Sequence, residues 1–225
     1  GPQGFGIANM ADSLYAIRKL VYEDKKVSME EYKQALAWNY DKGLDQQSVS
    51  DMSEMILKGM QEAGMAVNTD TAKAVLQTVM RLKPTEEQLR RFTEIHHMID
   101  EVPKFGNAID DVDYFARDVA YTYSRPLQEY MNPRGGHYQA GLYPVSANVP
   151  LGGQTGATPD GRYAHTPVAD GVSPSAGKDV KGPTAAATSV SRLDHFIVSN
   201  GTLFNQKFHP SALAGREGLE KFVAL

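Results

Sequence analysis

The sequence predicts an α/β protein with a helical first part, residues 1–131, and a second part, residues 132–225, made of loops and strands. Two observations support this division. Apolar residues recur at helical spacing six times in the first part. In the second part, ten of the chain's twenty glycines fall between residues 135 and 182, and six prolines fall between residues 144 and 183. Such a composition is typical of chain that follows tight turns, and we expect both parts to belong to one domain.

The helical part has clear start signals. Ser28 and Glu31 have the spacing of a capping box, and Thr85 and Gln88 have the spacing found at helix starts. Asp12 is the expected cap of the first helix. The spacing of apolar residues predicts helices over residues 11–24, 28–40, 50–60, 69–82, 84–102 and 110–131.

Two apolar runs in the second part are typical of strands, at residues 141–151 and 189–208. The second run contains Ser199-Asn200-Gly201, which predicts the turn of a hairpin. Between the runs, residues 152–186 have too little periodicity for a helix and too specific a placement of glycine, proline and aspartate for a linker. We expect an ordered loop there, and the residues alone leave open whether it forms a site or a structural wrap.

Charge and hydropathy restrict the partners. The net charge is −4, so the chain has no basic excess with which to neutralise nucleic-acid phosphates or an anionic membrane. No apolar run approaches the roughly 20 residues needed to span a bilayer, and the N-terminus has no basic-then-apolar signal segment. We therefore expect a soluble, cytoplasmic protein without a nucleic-acid or membrane partner.

Side chains that could carry chemistry are few. The chain has no cysteine, which removes thiolate metal sites and thiol nucleophiles. His97 and Glu101 lie one helical turn apart beside His96 and could share a metal, although a solvated helix face is the favoured interpretation, and we expect no metal site. A metal hydrolase built on the two histidines is a weaker hypothesis. Asp160 and Gly161 predict a turn, with Arg162 free to pair with a carboxylate.

Five motifs in order identify a resemblance. They are Val102–Asn107 (VPKFGN), Thr155–Arg162 (TGATPDGR), Pro167–Pro174 (PVADGVSP), Gly182–Ala185 (GPTA) and Ser189–His195 (SVSRLDH). Together they resemble the glycyl radical enzymes of the pyruvate formate-lyase superfamily. The resemblance covers nearly the whole chain except residues 43–95, where we expect an inserted helical segment. It implies part of a ten-stranded β/α barrel.

The resemblance also implies a type of reaction. The chain is most similar to the B12-independent glycerol and propane-1,2-diol dehydratases, with choline trimethylamine-lyases and isethionate or related sulfonate sulfite-lyases as alternatives. In the family, a glycyl radical installed by a separate S-adenosylmethionine iron–sulfur activase generates a thiyl radical on a cysteine, which abstracts a substrate hydrogen. This chain has neither a cysteine nor the Arg-Val-x-Gly-Tyr loop of the radical glycine. We therefore expect an internal fragment that is inactive alone and assign no catalytic residue; a truncated, non-catalytic interaction module is the alternative.

The resemblance implies a pocket wall in the second part. The segment at Tyr143, Val145 and Ser146 is expected to border the substrate, and Arg134 and Tyr138 to reach the same cavity. From the residues alone, Arg134 could bind an oxygen-rich ligand or the backbone carbonyls of its own loop, and both interpretations fit equally well. Residues 152–186 are expected to be a buried wrap that seals the site. The implied partners are a small diol or related molecule, the activase and a second copy in a homodimer, with a bacterial microcompartment as a further expected location.

Overall fold

The computed structural model describes residues 1–44, 46–206, 208 and 210–224. A π-helical segment, Arg18–Glu23, continues the first helix, and a 3-10 turn, Pro210–Leu213, precedes the last. The described residues form nine α-helices: α1 (Ile7–Ile17), α2 (Met29–Ala37), α3 (Gln46–Glu62), α4 (Thr69–Met80), α5 (Glu86–Glu101), α6 (Asp110–Leu127), α7 (Asn148–Gly153), α8 (Pro183–Ser191) and α9 (Gly215–Val223). None of them combines the length and hydropathy required to cross a membrane.

The six helices expected in residues 1–131 are all present as α1 to α6. Both predicted starts are capping boxes: the Ser28 and Thr85 hydroxyls each accept an N–H three residues later, and the Glu31 and Gln88 side chains accept the N–H of the cap in return. These local bonds satisfy donors that helix ends leave free. The prediction for Asp12 is wrong, because α1 begins at Ile7 and Asp12 lies fully buried inside the helix.

The strand predictions for 141–151 and 189–208 are wrong within the described residues, which contain isolated bridges instead of strands; Lys207, in the second run, lies outside those residues. Residues 148–153 form α7, and 189–191 end α8. Pro144 and Pro150 cannot donate to a ladder, and Gly201 has a φ of +114°, outside the strand region. The ten-stranded barrel therefore stays a prediction, because the described residues contain isolated bridges and no strand.

Three short extended segments nevertheless run side by side in parallel. Gln3 bridges Gly141, and Leu142 bridges Thr202, both in parallel orientation. The Leu142 N–H donates to the Gly201 carbonyl at 2.9 Å, and the Leu203 N–H donates to the Leu142 carbonyl at 3.0 Å. This is the hydrogen-bond pattern of a parallel ladder, reduced to single bridges.

The core lies where α1 packs on α6 and where α2 packs on α5. The apolar positions predicted for α5 are confirmed at Phe92, Ile95 and Ile99, each at most 2% exposed. Helices α3 and α4 pack on each other and bury Val79, whereas Met55 and Met80 are each 67% exposed. The predicted helices in the segment 43–95 therefore form, as a hairpin with a small core of its own; that this segment is an insertion stays a prediction.

Candidate functional site

The three parallel segments bring Tyr143 to their carboxyl end. Tyr143 directly follows the paired residue Leu142. In parallel α/β architectures, ligands collect at the carboxyl ends of the strands, because the connecting loops meet there. The ring of Tyr143 is half-buried, and its hydroxyl oxygen accepts a hydrogen bond from Asn200 Nδ2 at 3.0 Å.

Three of the four other predicted site residues are exposed. Val145 is 71% exposed with a φ of +57°, and Ser146 is exposed just before α7. Arg134 is exposed in a turn that Asn132 closes by accepting the Arg134 N–H at 2.9 Å. Tyr138 is half-buried. The structure thus places the five residues along one stretch of chain, and the side chain of Tyr143 is tied to a second segment by a hydrogen bond.

The loop between α7 and α8 is organised around Arg162, whose side chain is 9% exposed. Its guanidinium donates to the carbonyls of Tyr163 at 3.1 Å and Thr166 at 2.6 Å, and also to Gly156. The expected carboxylate partner is therefore wrong, because carbonyls of the loop itself take up the donors. Burial lowers the pKa of Arg162. Five donors in a rigid plane suit this task of gathering backbone carbonyls.

Asp160, 2% exposed, ties this turn to α1. Its carboxylate accepts from Asn9 Nδ2 at 2.6 Å, and its backbone N–H donates to Ser13 Oγ at 3.1 Å. The predicted turn at Asp160 and Gly161 is confirmed, with Thr158 bridging Arg162 and Gly161 at a φ of +92°. The TPDGR motif is thus a tight turn locked onto α1 by buried hydrogen bonds.

The VPKFGN motif holds the later part of the same loop. Asn107 Nδ2 donates to the Lys178 carbonyl at 2.7 Å, and Asn107 Oδ1 accepts the Lys181 N–H at 3.1 Å. Gly106 has a φ of +99°, and a Cβ there would lie 2.6 Å from Cβ of Pro174. A side chain at position 106 is therefore excluded by both backbone and space. The VPKFGN motif is thus in direct contact with a part of the loop that is distant in sequence.

The PVADGVSP motif closes over the carboxyl end of the parallel segments. The Val172 N–H donates to the Leu203 carbonyl at 2.9 Å, and Asn205 donates through its side chain to Asp170 and through its backbone to Ser173 Oγ at 2.9 Å. A Cβ at Gly171 would lie 2.7 Å from the Leu142 carbonyl oxygen. The loop therefore approaches the end of the Tyr143 segment at backbone contact distance.

A pocket of about 480 Å³ opens between α1, α5 and this loop. Its polar groups are already engaged: Lys178 Nζ lies 2.5 Å from Asp100 Oδ1, Arg162 binds carbonyls, and Asn9 binds Asp160. None of the five predicted site residues lines it. Satisfied charges of this kind hold a loop in place, so we assign the pocket no chemistry.

His96 departs from the expectation of a solvated helix face, although the neighbouring His97 is exposed. The His96 ring is 13% exposed. It stacks on Tyr163 at a centroid distance of 4.8 Å and contacts Tyr40 in a tilted arrangement at 4.6 Å. Its Nε2 lies 2.9 Å from the Gly161 carbonyl oxygen. No group of three or more potential metal-binding side chains occurs within the part of the chain that the structure describes. His96 of α5 thus packs against the loop at Gly161 and Tyr163.

Two buried ionisable residues, Asp12 of α1 and Lys104, influence each other electrostatically. Asp12 Oδ1 accepts the Phe105 N–H at 2.8 Å, whereas Oδ2 has no partner among the described residues. Burial raises the pKa of Asp12 to about 7, against the Phe105 hydrogen bond and the charge of Lys104. Burial also lowers the pKa of Lys104, which donates to the carbonyl of Val102 at 3.2 Å. This cluster links α1 to the segment that follows α5.

Sequence reasoning missed Asn9, Asp160 and Asn200 as the residues that fix these segments. A signal for the first was available: Asn9, Asp12 and Ser13 share one helix face at spacings of three and four among apolar neighbours. Polar residues on an apolar face indicate a buried hydrogen-bonded cluster. Nothing comparable marks Asn200, because its partner Tyr143 lies 57 residues away.

Comparison with known proteins identifies the family. The pyruvate formate lyase-like family model matches residues 1–152, and the glycine radical model matches residues 168–225. A curated relative, probable dehydratase YbiW of Escherichia coli K12, is 36% identical over 226 residues. The alignment covers 98% of this chain and 22% of that relative.

Two solved structures resemble the chain in three dimensions. A structure on 1,2-propanediol dehydration in Roseburia inulinivorans has 58% identity and a TM-score of 0.92, covering 100% of this chain and 27% of its own. The glycerol-bound B12-independent glycerol dehydratase of Clostridium butyricum has 45% identity and a TM-score of 0.72, covering 100% and 22%. The chain thus spans about a quarter of these proteins. The resemblance predicted from the motifs is confirmed: the chain belongs to the pyruvate formate lyase-like family of glycyl radical enzymes.

Proposed function

We propose that the full-length protein containing this chain is a glycyl radical dehydratase that removes water from propane-1,2-diol or glycerol. The observation that carries the proposal is the gradation of similarity. Identity is 58% to the propanediol structure, 45% to glycerol dehydratase and 36% to the probable dehydratase YbiW. Similarity thus increases toward proteins that act on small, neutral polyols.

We further propose that Tyr143, Val145 and Ser146 form part of the substrate wall, with Arg134 and Tyr138 near its entrance. The first three side chains carry no charge, which suits a neutral polyol. A sulfonate or a quaternary ammonium group would need a compensating partner in a dry pocket, because a buried unpaired charge is costly. Arg134, the candidate for an anionic head group, is exposed in its turn, which favours the diol over isethionate.

The radical chemistry would come from a glycine and a cysteine that this chain does not contribute. The residues of this chain would help to enclose the site. The loop held by Asn9, Arg162 and Asn107 keeps its backbone packed against the end of the Tyr143 segment. A closed, water-poor site protects a reactive intermediate from side reactions. We propose activation by a separate S-adenosylmethionine iron–sulfur activase, a homodimer, and a cytoplasmic location that includes a bacterial microcompartment.

The test is an anaerobic assay of the full-length protein after activation. Propane-1,2-diol, glycerol, choline and isethionate are offered separately. The proposal expects propanal and water from propane-1,2-diol, or 3-hydroxypropanal and water from glycerol. Trimethylamine from choline or sulfite from isethionate, without turnover of propane-1,2-diol or glycerol, contradicts it. Unactivated protein is the matched control.

The competing hypothesis is a non-catalytic interaction module. The complete coding sequence separates the two: a Gly-Cys-x-Glu motif upstream and an Arg-Val-x-Gly-Tyr motif downstream belong to an enzyme. A coding sequence that lacks both motifs supports the interaction module and excludes the dehydratase.

A further inference from the structure

The phenol of Tyr143 is held by the amide of Asn200. Asn200 Nδ2 donates to Tyr143 Oη at 3.0 Å. The Asn200 backbone is itself fixed, since its N–H donates to the Ala140 carbonyl at 3.0 Å. The two side chains therefore meet across neighbouring parallel segments whose register is set by backbone hydrogen bonds.

Two glycines leave the space that this contact requires. A Cβ at Gly141 would overlap ring atom Cε1 of Tyr143 and would lie 3.0 Å from Asn200 Nδ2. Gly201 has a φ of +114°, and a Cβ there would touch the same ring at 3.8 Å. Backbone packed this closely leaves the ring and the amide few other arrangements.

The direction of the hydrogen bond determines whether the phenol can still donate its hydrogen to a ligand. An amide NH₂ group only donates, whereas a phenol hydroxyl both donates and accepts. Because Tyr143 Oη accepts from Asn200, its own hydrogen is not used in this contact and can go to a ligand oxygen. We propose that Asn200 is a positioning residue that makes Tyr143 a hydrogen-bond donor to a hydroxyl oxygen of the substrate.

The inference rests on the proposed function, in which Tyr143 borders the diol, and it adds a basis for substrate choice. A hydroxyl oxygen has lone pairs that accept from the phenol, whereas a quaternary ammonium group has none. A fixed donor at this position therefore favours a polyol oxygen over a trimethylammonium head group. Such a donor discriminates strongly against an analogue only where that analogue places no oxygen at this position.

The test compares kcat/KM for propane-1,2-diol among variants of the activated full-length protein. Asn200→Ala loses the orienting donor, and we expect a decrease of about 10-fold. Asn200→Asp is nearly isosteric, but its carboxylate accepts the phenol hydrogen and removes the donor from the substrate, so we expect about 100-fold. With the opposite amide orientation, Asn200→Asp would be the milder of the two changes.

A double-mutant cycle isolates the contact. Tyr143→Phe alone should lower kcat/KM, and adding Asn200→Ala to Tyr143→Phe should change it less than about 2-fold. The glycyl radical content by electron paramagnetic resonance and the thermal midpoint control for activation and folding. Asn68→Ala, which removes only the cap of α4, should leave activity unchanged. If an Asn200 variant holds no radical, the Kd of the unactivated protein for glycerol replaces kcat/KM, with the same order of effects expected.

The outcomes separate the two proposals. An unchanged kcat/KM in Tyr143→Phe overturns the placement of Tyr143 at the substrate and the role of Asn200 with it. A loss in Tyr143→Phe, combined with an equal further loss from Asn200→Ala in both backgrounds, overturns the positioning role alone. An Asn200→Asp variant as active as the wild type also overturns that role and leaves the dehydratase assignment standing.

Discussion

Asn9 and Asp160, 151 residues apart in sequence, are joined by a hydrogen bond of 2.6 Å between two buried side chains. The same Asn9 amide accepts the Ala169 N–H at 2.6 Å and donates to Ser175 Oγ at 3.1 Å. One helix residue thus fixes three points of the loop between α7 and α8. The helical part and the loop part therefore depend on each other through this side chain.

We expect Asn9→Ala to destabilise the protein by about 2–4 kcal/mol, because it removes three hydrogen bonds to buried partners, one of them the carboxylate of Asp160. Asn148→Ala is the matched control: it lines the same pocket but makes a single side-chain bond of 3.3 Å to the Val168 carbonyl, and should cost less than about 1 kcal/mol. Urea denaturation of both variants measures the difference. Equal losses would contradict the anchoring role of Asn9.

Adjacent glycines in α7 should respond differently to alanine. A Cβ at Gly152 would lie 2.6 Å from the Pro167 Cα and the Val168 nitrogen, whereas a Cβ at Gly153 meets nothing within 4 Å. Gly152→Ala should therefore cost about 1–3 kcal/mol through overpacking against backbone. Gly153→Ala should be neutral or stabilising by up to about 1 kcal/mol, as expected for alanine in a helix. Thermal midpoints check the pair, and a loss for Gly153→Ala as large as for Gly152→Ala speaks against close packing of the loop on α7.

Asp12 should make stability depend on pH. Its pKa is about 7 in the folded chain, raised by burial from 3.8, so the folded state binds more protons between pH of about 4 and 7. The free energy of unfolding therefore falls as pH rises through this window, by about 2–3 kcal/mol between pH 5 and 8.

Asp12→Asn should abolish this part of the dependence, because its amide oxygen still accepts from Phe105 and it has no proton to lose. Denaturation at pH 5 and pH 8, for wild type and variant, gives the difference directly. A pH dependence that is the same in both proteins would show that Asp12 is charged in the folded state.

Limited proteolysis tests whether the loop is a closed wrap. Arg81 lies in an exposed connection between α4 and α5, whereas the Arg162 side chain is buried and Lys178 is paired with Asp100. Trypsin acting on the native full-length protein should cut first at Arg81 and spare Arg162 and Lys178, because cleavage needs locally unfolded chain. Mass spectrometry identifies the sites. Cleavage at Arg162 as fast as at Arg81 would argue against a sealed loop.

The helices could be predicted because their signals are local. Capping boxes at Ser28 and Thr85 and the apolar stripe of α5 involve residues three or four positions apart, and the structure has them as predicted. The prediction of Asp12 as a helix cap was wrong because a capping aspartate and a buried helix aspartate have similar sequence patterns. Only the contact with Phe105, which is distant in sequence, distinguishes them. Sequence spacing carries no information about such a contact.

The strands and the loop contacts were harder to predict, because they depend on pairing between residues that are distant in sequence. The run 141–151 reads as a strand, yet its pairing is limited to Gly141 and Leu142, since strand formation follows tertiary context more than propensity. Arg162 was expected to bind a carboxylate and binds carbonyls of its own loop, because burial places those oxygens around it. For the site, the resemblance predicted Tyr143. Its partner Asn200 could not be predicted, because the two residues meet only through the register of the parallel segments.

The most direct test of the account is a structure of the full-length protein with propane-1,2-diol bound. We predict a diol oxygen about 2.7–2.8 Å from Tyr143 Oη, with Asn200 Nδ2 still donating to that phenol. A diol bound without contact to Tyr143, or with the Tyr143 hydroxyl donating to Asn200 instead of to the ligand, would contradict the account.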